Sequence, residues 1–447
     1  MPNVTSSNVT PHVTPDNRKK RIYARPEHNI SRDNISPNAL KVLYRLKNAG
    51  FEAFLVGGGV RDLLLEGRPK DFDISTDATP EDVRNLFRNC RLIGRRFRLA
   101  HVHFGSEIIE VATFRGKHEG NQGDDAQIVD GMITRDNVYG SLEEDAWRRD
   151  FSINSLYYNI KDFSVEDHVG GLEDIKAKYI RILGDPDQRY REDPVRMLRA
   201  VRFASKLGFT IQSNTETPLF ELGTLLEGVP PARLYEEVLK LFLSGHSVKT
   251  LELLRHYNLF MFLFPQTEMS LKNDDDLKRL AFINRALENT DKRIQEDKRI
   301  TPAFIFAVFL WGSVCRLKAK YLERGMSESQ TLTAASEAVI SGQSRRIAIP
   351  RRFHTAMRDI WYLQDRFTKR APKRSLRLLS HPRFRASYDF LLLRAESGNA
   401  DMELANWWGK FYDADDDNKQ QIVSQLNESK GKGRKTRRRK PKKPQSE

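Results

Sequence analysis

The stretch FLVGGGVRD at residues 54–62, followed by DFD at residues 71–73, predicts the fold of the N-terminal half of the chain. A strand-like segment, 52–56, ends at three glycines, and a short helix, a turn and a second strand follow. Residues at positions i and i+2 of a strand share one face, which places Asp71 and Asp73 side by side. Glycine pairs and Asp-x-Asp pairs are each common in exposed turns, but their combination in this order indicates a functional site.

The paired carboxylates and the glycines suit a phosphorylated ligand. Two neighbouring carboxylates repel each other, and a divalent cation relieves that cost. Mg²⁺ prefers such oxygen ligands and takes substrate phosphates as further ligands, and Mn²⁺ is the alternative ion. Two ions about 4 Å apart can activate an attacking hydroxyl and stabilise a leaving pyrophosphate. Gly57 and Gly58 leave backbone N–H groups open to a triphosphate, so the sequence predicts a metal-dependent nucleotide site.

A two-metal site needs a third acid, and the sequence offers two candidates. Glu110 lies between Ile109 and Val111 in the strand-like segment 107–114, where an unpaired acid is costly. Its alternative is an exposed position on a strand at the edge of the sheet. Asp150 is the second candidate, and its alternative role is a salt bridge to a neighbouring arginine. The residues alone leave both acids open as catalytic groups.

Three motifs in the right order resemble the class II tRNA nucleotidyltransferase/poly(A) polymerase family. They are FLVGGGVRD with DFD in the head, RRDFSIN at residues 148–154, and EDPVR at residues 192–196. The resemblance spans about residues 50–265 and implies a nucleotidyltransferase head that uses ATP as a substrate. It also implies nucleotide-binding roles for eight residues: Gly57, Gly58, Arg61, Asp62, Arg148, Asn154, Asp193 and Arg196.

The EDPVR motif carries the part of the resemblance that concerns base recognition. In the family, this helix reads the nucleotide base with protein side chains, so Asp193 and Arg196 are expected to hydrogen-bond the base edge. Asp supplies acceptors and Arg a fixed fork of donors, which fits that task. Asp193 can also cap its own helix ahead of Pro194, and the two roles are compatible. The Gly-, Asn- and Asp-rich segment 115–130 corresponds to a flexible loop of the family.

Three basic segments favour the polyadenylating branch of the family. The stretch LIGRRFRLAHV at residues 92–102 resembles the signature of bacterial poly(A) polymerases, and SRRIAIPRRF at 344–353 resembles the start of their arginine-rich region. The segment from Lys430 to Lys443 holds ten Lys and Arg residues, which suits sequence-independent phosphate binding. We therefore expect RNA contacts from Arg437, Arg438, Arg439 and Lys440. A CCA-adding enzyme remains the rival activity, and a non-catalytic RNA-binding protein is disfavoured because every acid is present.

Composition sets the remaining expectations. The chain has 447 residues, a net charge of +15 and only two cysteines, which favours a polyanionic partner and argues against a zinc site or a disulfide framework. The N-terminus lacks a secretory h-region, and the longest apolar stretch, 304–314, is too short for a bilayer span, so a cytoplasmic protein with no transmembrane segment is expected.

The expected architecture is α+β, with a nucleotidyltransferase head of mixed strands and helices followed by an all-helical neck, body and tail. The predicted divisions are a disordered segment at 1–35, the head at 36–185, a neck and RNA-binding region at 186–275, a body at 276–428, and a disordered basic tail at 429–447. The predicted partners are RNA 3′ ends of mRNA, small RNA and tRNA. RNA-decay proteins follow from the resemblance alone.

Overall fold

The computed structural model describes residues 20–94, 98–116, 126–129, 132–136, 138–272, 277–415 and 417–422; the side chains of 126–129, 132–136, Ser329 and Pro372 are not described. The chain divides into two compact units between Leu226 and Glu227. This division falls within the predicted neck and RNA-binding region, 186–275, and the predicted domain boundaries stay predictions. The basic tail and its four predicted RNA contacts lie outside the described residues.

An eight-stranded sheet forms the centre of the first unit. Its strand order is β1-β10-β9-β2-β3-β6-β5-β4, and the pair β3/β6 is parallel while the other neighbours are antiparallel. The eight strands are β1 Arg21–Tyr23, β2 Ala53–Val56, β3 Asp73–Thr76, β4 Cys90–Ile93, β5 Leu99–Phe104, β6 Glu107–Thr113, β9 Leu156–Asn159 and β10 Val165–Asp167. Two small sheets pair β7 Ala126–Val129 with β8 Met132–Asp136, and β11 Tyr179–Ile180 with β12 Thr210–Ile211.

Eight helices complete the first unit, and their ends follow local sequence rules. Thr79 caps α3 through its side chain with Pro80 in the first turn, and Ser36 caps α1 through its hydroxyl. The helices are α1 Pro37–Asn48, α2 Gly58–Leu64, α3 Pro80–Leu86, α4 Leu142–Arg148, α5 Gly171–Ala177, α6 Pro186–Glu192, α7 Val195–Leu207 and α8 Ser213–Glu221. Short 3₁₀ helices span Arg25–Glu27, Arg32–Asn34, Ser152–Asn154 and Gly223–Gly228.

The second unit is helical throughout its described residues. Its helices are α9 Pro231–Phe242, α10 Ser247–His256, α11 Phe260–Leu263, α12 Pro265–Lys272, α13 Lys278–Gln295, α14 Pro302–Glu323, α15 Glu328–Arg346, α16 Arg351–Phe367, α17 Pro372–Leu379, α18 Phe384–Glu396 and α19 Met402–Asp413. By length and composition, α14 is the one described helix apolar enough to cross a membrane. It packs against α12, α13, α15 and α16, as a core helix does, because its apolar side chains fill the centre of this unit.

The α+β prediction is confirmed, and two local predictions need correction. Residues 20–35 belong to the segment predicted to be disordered, but they include β1, which completes the sheet by pairing with β10. The chain beyond 185 is not purely helical, because β12 returns to pair with β11.

Candidate active site

Three acids lie together where β3 begins beside the middle of β6. Asp73 and Glu110 are direct partners in the parallel register of these strands, so their side chains share a face. Asp71 lies just before β3 and is exposed. Burial, and then the charges of Glu110 and Asp71, raise the pKa of Asp73 to about 6, although Arg149 opposes the shift. His101 on β5 extends the row, with its Nε2 3.4 Å from Oε2 of Glu110.

The glycine turn faces the same acids. Gly57 has a φ of 71° and ends β2 just before α2, a conformation that suits glycine. A Cβ at this position would lie 3.8 Å from Oδ2 of Asp73 and 3.6 Å from Nη1 of Arg149. Gly58 starts α2, and a Cβ there would lie 3.4 Å from Nη2 of Arg61. The two predicted glycines therefore keep open a space that is bordered by a carboxylate and two guanidinium groups.

Arg149 is a site residue that the sequence prediction missed. Its Nε donates to the hydroxyl of Tyr157 at 2.9 Å, and its Nη2 donates to Oδ2 of Asp145 at 3.0 Å. Tyr157 donates to the same oxygen of Asp145 at 2.7 Å, so the guanidinium is held from two sides. This arrangement leaves Nη1 directed towards Gly57 and places a fixed positive charge beside the acids. The RRDFSIN motif contains two adjacent arginines and could have indicated Arg149, but the resemblance assigned nucleotide binding to Arg148.

Arg61 and Asn154, both predicted to bind the nucleotide, bind each other. The Nη1 of Arg61 donates to Oδ1 of Asn154 at 2.6 Å. Its Nε and Nη2 donate to Oδ1 of Asp62 at 2.8 and 2.6 Å, and Lys206 lies 3.3 Å from the other oxygen of that carboxylate. Arg61 is buried and lies over the ring of Phe203, 5.2 Å from its centroid. Asp62 thus orients a buried guanidinium behind the glycine turn.

Asp150 is held away from the acidic cluster by its own partners. Its Oδ2 accepts from Nε of Arg199 at 2.5 Å, and its Oδ1 accepts from the backbone of Phe151 at 2.9 Å and the amide of Asn154 at 3.3 Å. Burial alone would raise the pKa of Asp150, but Arg199 and these hydrogen bonds lower it below its usual range. Of the two candidates for third acid, the structure therefore places Glu110, and not Asp150, beside Asp73.

Of the residues predicted to read the base, Asp193 lies between α6 and α7, and Arg196 lies in the first turn of α7. Arg196 donates from Nη1 to the carbonyl of Arg189 at 2.7 Å and to Oε2 of Glu192 at 3.1 Å. The carboxylate of Asp193 accepts from the backbone of Val195 at 3.2 Å. The N-cap of α7 is Pro194 and not Asp193, so the predicted capping role falls one residue later and involves no side chain. Asp193 and Arg196 are each less than a tenth exposed and form a buried polar corner.

Arg189 ties this corner to the RRDFSIN segment. Its Nη2 donates to the carbonyl oxygens of Arg148 and Arg149, both at 2.8 Å, and its Nη1 donates to Glu192 at 2.9 Å. Burial, followed by the charge of Arg196, lowers the pKa of Arg189 to about 10. The side chain of Arg148 donates to the carbonyl of Gly116. The second and third motifs of the sequence therefore form one hydrogen-bonded structure.

The acid cluster is an incomplete set of metal ligands. Among the residues that the structure describes, no group of three or more His, Cys, Asp or Glu side chains could hold a metal ion by itself. The donor chemistry nevertheless fits a divalent cation, because the half-buried carboxylate of Asp73, whose pKa is raised, lies beside two further carboxylates. A cation that takes substrate phosphate oxygens as additional ligands needs only part of its ligand set from the protein.

Comparison with known proteins covers nearly the whole chain. The poly A polymerase head domain matches residues 53–181, the probable RNA and SrmB-binding site of polymerase A matches 208–271, and the polymerase A arginine-rich C-terminus matches 324–444. Poly(A) polymerase I of Escherichia coli O157:H7 is 51% identical over 432 residues, covering 95% of this chain and 93% of that protein. Its counterpart in Haemophilus influenzae is 44% identical, covering 91% of each.

Solved structures show the same fold. The CCA-adding enzyme of Bacillus stearothermophilus in complex with CTP superposes with a TM-score of 0.55 at 25% identity, covering 88% of this chain and 84% of that chain. The fold and the acid cluster beside the glycine turn define the class of protein as a nucleotidyltransferase. At this level of similarity to its relatives, the chain belongs to the poly(A) polymerase family. It is an enzyme that adds adenylates to RNA.

Proposed function

We propose that the protein extends RNA 3′ ends with ATP, independently of a template, and releases pyrophosphate. The observation that supports this most directly is that Asp73 and Glu110 are neighbours across β3 and β6. The guanidinium of Arg149 and the carboxylate of Asp73 both border Gly57. In this proposal the RNA 3′-hydroxyl attacks the α-phosphate of ATP. Mg²⁺, or Mn²⁺ in its place, supplies Lewis-acid stabilisation of the attacking and leaving oxygens when bound.

The chain's own residues divide the remaining tasks. Asp71, Asp73 and Glu110 would hold the cations and orient the reacting oxygens. Arg149 and the backbone of Gly57 and Gly58 would bind the triphosphate, because cationic donors and open N–H groups favour phosphate oxygens. Arg61 is already bonded to Asp62 and Asn154, so we assign these three to orienting the site and not to charge neutralisation.

Base selection is assigned to Asp193 and Arg196. Glu192 and the carbonyl of Arg189 fix the guanidinium of Arg196, which leaves its planar fork in a defined orientation. A fixed fork rejects a base with the wrong donor and acceptor pattern more strongly than a mobile one. This fixation supports selection of ATP by protein side chains. RNA turnover in the cytoplasm, with RNA-decay proteins as partners, is the cellular role that we propose.

A single substitution tests the catalytic assignment. Asp71→Ala should abolish adenylate transfer to an unstructured RNA while leaving RNA binding nearly unchanged, because Asp71 is exposed and its removal disturbs no packing. Asp359→Ala, which removes a carboxylate from α16 in the second unit, is the control and should retain full activity. Transfer by the Asp71 variant at the wild-type rate would rule out this assignment.

A further inference from the structure

The second unit contains a cavity of about 130 Å³ among four helices, well away in sequence from the acid cluster. Residues of α13, α14, α16 and α18 line it, together with the segment that joins α13 to α14. Its walls include Ala303 and Ile360, which are buried, and Phe304, which is half-buried. All of the lining residues belong to the described part of the chain. The cavity therefore presents apolar surface and the side of one aromatic ring.

Three arginines border this cavity. They are Arg293, Arg299 and Arg383. Nη2 of Arg293 donates to the carbonyl of Arg299 at 2.8 Å, which draws two of the arginines together. The exposed guanidinium groups of Arg299 and Arg383 form no ion pair with an acid among the described residues. The acid in the wall, Asp389, is already bound to Arg385 at 3.0 Å, so the border carries an excess of positive charge.

We propose that this cavity binds one unpaired base of the RNA strand, with the flanking phosphates on Arg293, Arg299 and Arg383. An apolar cavity with an aromatic wall and a cationic border matches a nucleotide, whose base is flat and apolar on its faces and whose phosphates are anionic. Pockets for whole drug-sized ligands begin at roughly 300 Å³, so this smaller space suits a single ring system. The amide of Asn289 in the wall can hydrogen-bond a base edge.

The charge pattern favours RNA over a protein side chain. A peptide would need acidic residues on both sides of an apolar one to match this border, whereas every RNA strand has that alternation of base and phosphate. Five of the fourteen lining residues, Ile360 and Arg383 among them, lie in the region that matches the arginine-rich C-terminus of polymerase A, and the other nine precede it. The proposal rests on the proposed function in one respect, namely that the substrate is a single-stranded RNA end.

The test is binding of fluorescently labelled oligoadenylate to the full-length protein, followed by anisotropy. Arg299→Ala/Arg383→Ala removes two exposed charges from the border, and Arg374→Ala/Arg377→Ala removes two exposed charges from α17 as the matched control. Ala386→Phe fills the cavity without changing charge. A second probe of the same length, a ribose-phosphate strand that lacks bases, separates base binding from phosphate binding.

We expect the Arg299/Arg383 variant and Ala386→Phe to bind oligoadenylate roughly tenfold more weakly, and the control pair less than about threefold. Ala386→Phe should bind the base-free strand as the wild type does. The proposal would be overturned if both arginine pairs lost the same affinity for oligoadenylate on substitution. It would also be overturned if Ala386→Phe and the Arg299/Arg383 variant both bound oligoadenylate as the wild type does. If the cavity bound a labelled acidic peptide but not labelled oligoadenylate, it would be assigned to a protein partner instead.

The same samples separate this proposal from the proposed function. The turnover number for adenylate transfer should be unchanged in the control variant Arg374→Ala/Arg377→Ala, because neither substituted residue belongs to the acid cluster or to the cavity. If the wild type bound oligoadenylate through this cavity but transferred no adenylate, the proposed function would fail and the base site would stand. If transfer proceeded and the variants bound normally, the base site alone would fail.

Discussion

Asp73 and Glu110 face each other across the parallel strands β3 and β6, and no hydrogen bond or ion pair within the described structure neutralises Asp73. Burial is the main reason that the pKa of Asp73 rises to about 6, and the carboxylate of Glu110 adds to it. The fold therefore places the negative charge of Asp73 in surroundings that are unfavourable for it unless a cation is bound. Such unfavourable placement is frequent at functional sites and rare elsewhere.

The metal-free protein should become more stable when this repulsion is removed. Asp73→Asn replaces a half-buried carboxylate with a neutral group of the same shape, so we expect a gain of about 1–3 kcal/mol in the free energy of unfolding. Thermal unfolding in the presence of EDTA at pH 7.5 measures it. Asp359→Asn is the control and should shift stability by less than about 0.5 kcal/mol. A loss of stability in the Asp73 variant would contradict the electrostatic account.

Glu110 and Asp150 should respond differently to neutral substitution. Glu110→Gln should lower adenylate transfer by about 100-fold or more without loss of stability, because Glu110 belongs to the acid cluster. Asp150→Asn should destabilise the protein by about 1–3 kcal/mol, because Arg199, itself about a third exposed, loses its partner. Turnover and thermal unfolding of both variants decide the matter. The assignment of Glu110 as the third acid would be reversed if Glu110→Gln had normal turnover while Asp150→Asn was inactive and as stable as the wild type.

The bond between Arg61 and Asn154 should contribute measurably to stability. Asn154→Ala leaves a buried guanidinium without one of its acceptors, and we expect a loss of about 1–3 kcal/mol. The Michaelis constant for ATP should rise as Arg61 loses its fixed orientation. A double-mutant cycle with Arg61→Met measures the coupling, since the two losses should be far from additive. Additive losses would show that the bond has no role in orienting Arg61.

Glu166, on β10 near the edge of the sheet, makes a pH-dependent contribution to the stability of the first unit. His168, and then Lys20 at 2.9 Å, lower the pKa of this carboxyl to about 2, although burial opposes them. Because the folded-state pKa lies below the unfolded one, the contribution is present above about pH 4.5 and disappears as the pH falls towards 2. Glu166→Gln should therefore cost about 1–3 kcal/mol at pH 7 and almost nothing near pH 2. Chemical denaturation across that range checks this, and a pH-independent cost would contradict it.

Much of the first unit was predictable because its signals are local. The glycine turn between β2 and α2 depends on neighbours in the chain and lies where its sequence indicated. Of the two i, i+2 acids predicted to share a strand face, Asp73 begins β3, whereas Asp71 lies just before the strand. The choice between Glu110 and Asp150 was not predictable. It depends on the pairing of β3 with β6, two strands that are distant in sequence, and on Arg199, which lies on α7.

Arg149 illustrates a second limit. Its importance comes from Asp145 and Tyr157, which fix its orientation, and neither residue belongs to a recognisable motif. The prediction for residues 20–35 was wrong for a similar reason. The polar composition of this segment hides a short strand that is stabilised only by pairing with β10. Tertiary partners, and not local composition, decide both cases.

The most direct test of the central claim is incorporation of each nucleoside triphosphate separately, with Mg²⁺, into a generic unstructured RNA, resolved on a sequencing gel. The account predicts a long ladder with ATP alone and little extension with CTP, GTP or UTP. No extension of that RNA, together with addition of CTP and ATP limited to three nucleotides on a trimmed tRNA, would contradict the account and indicate a CCA-adding enzyme.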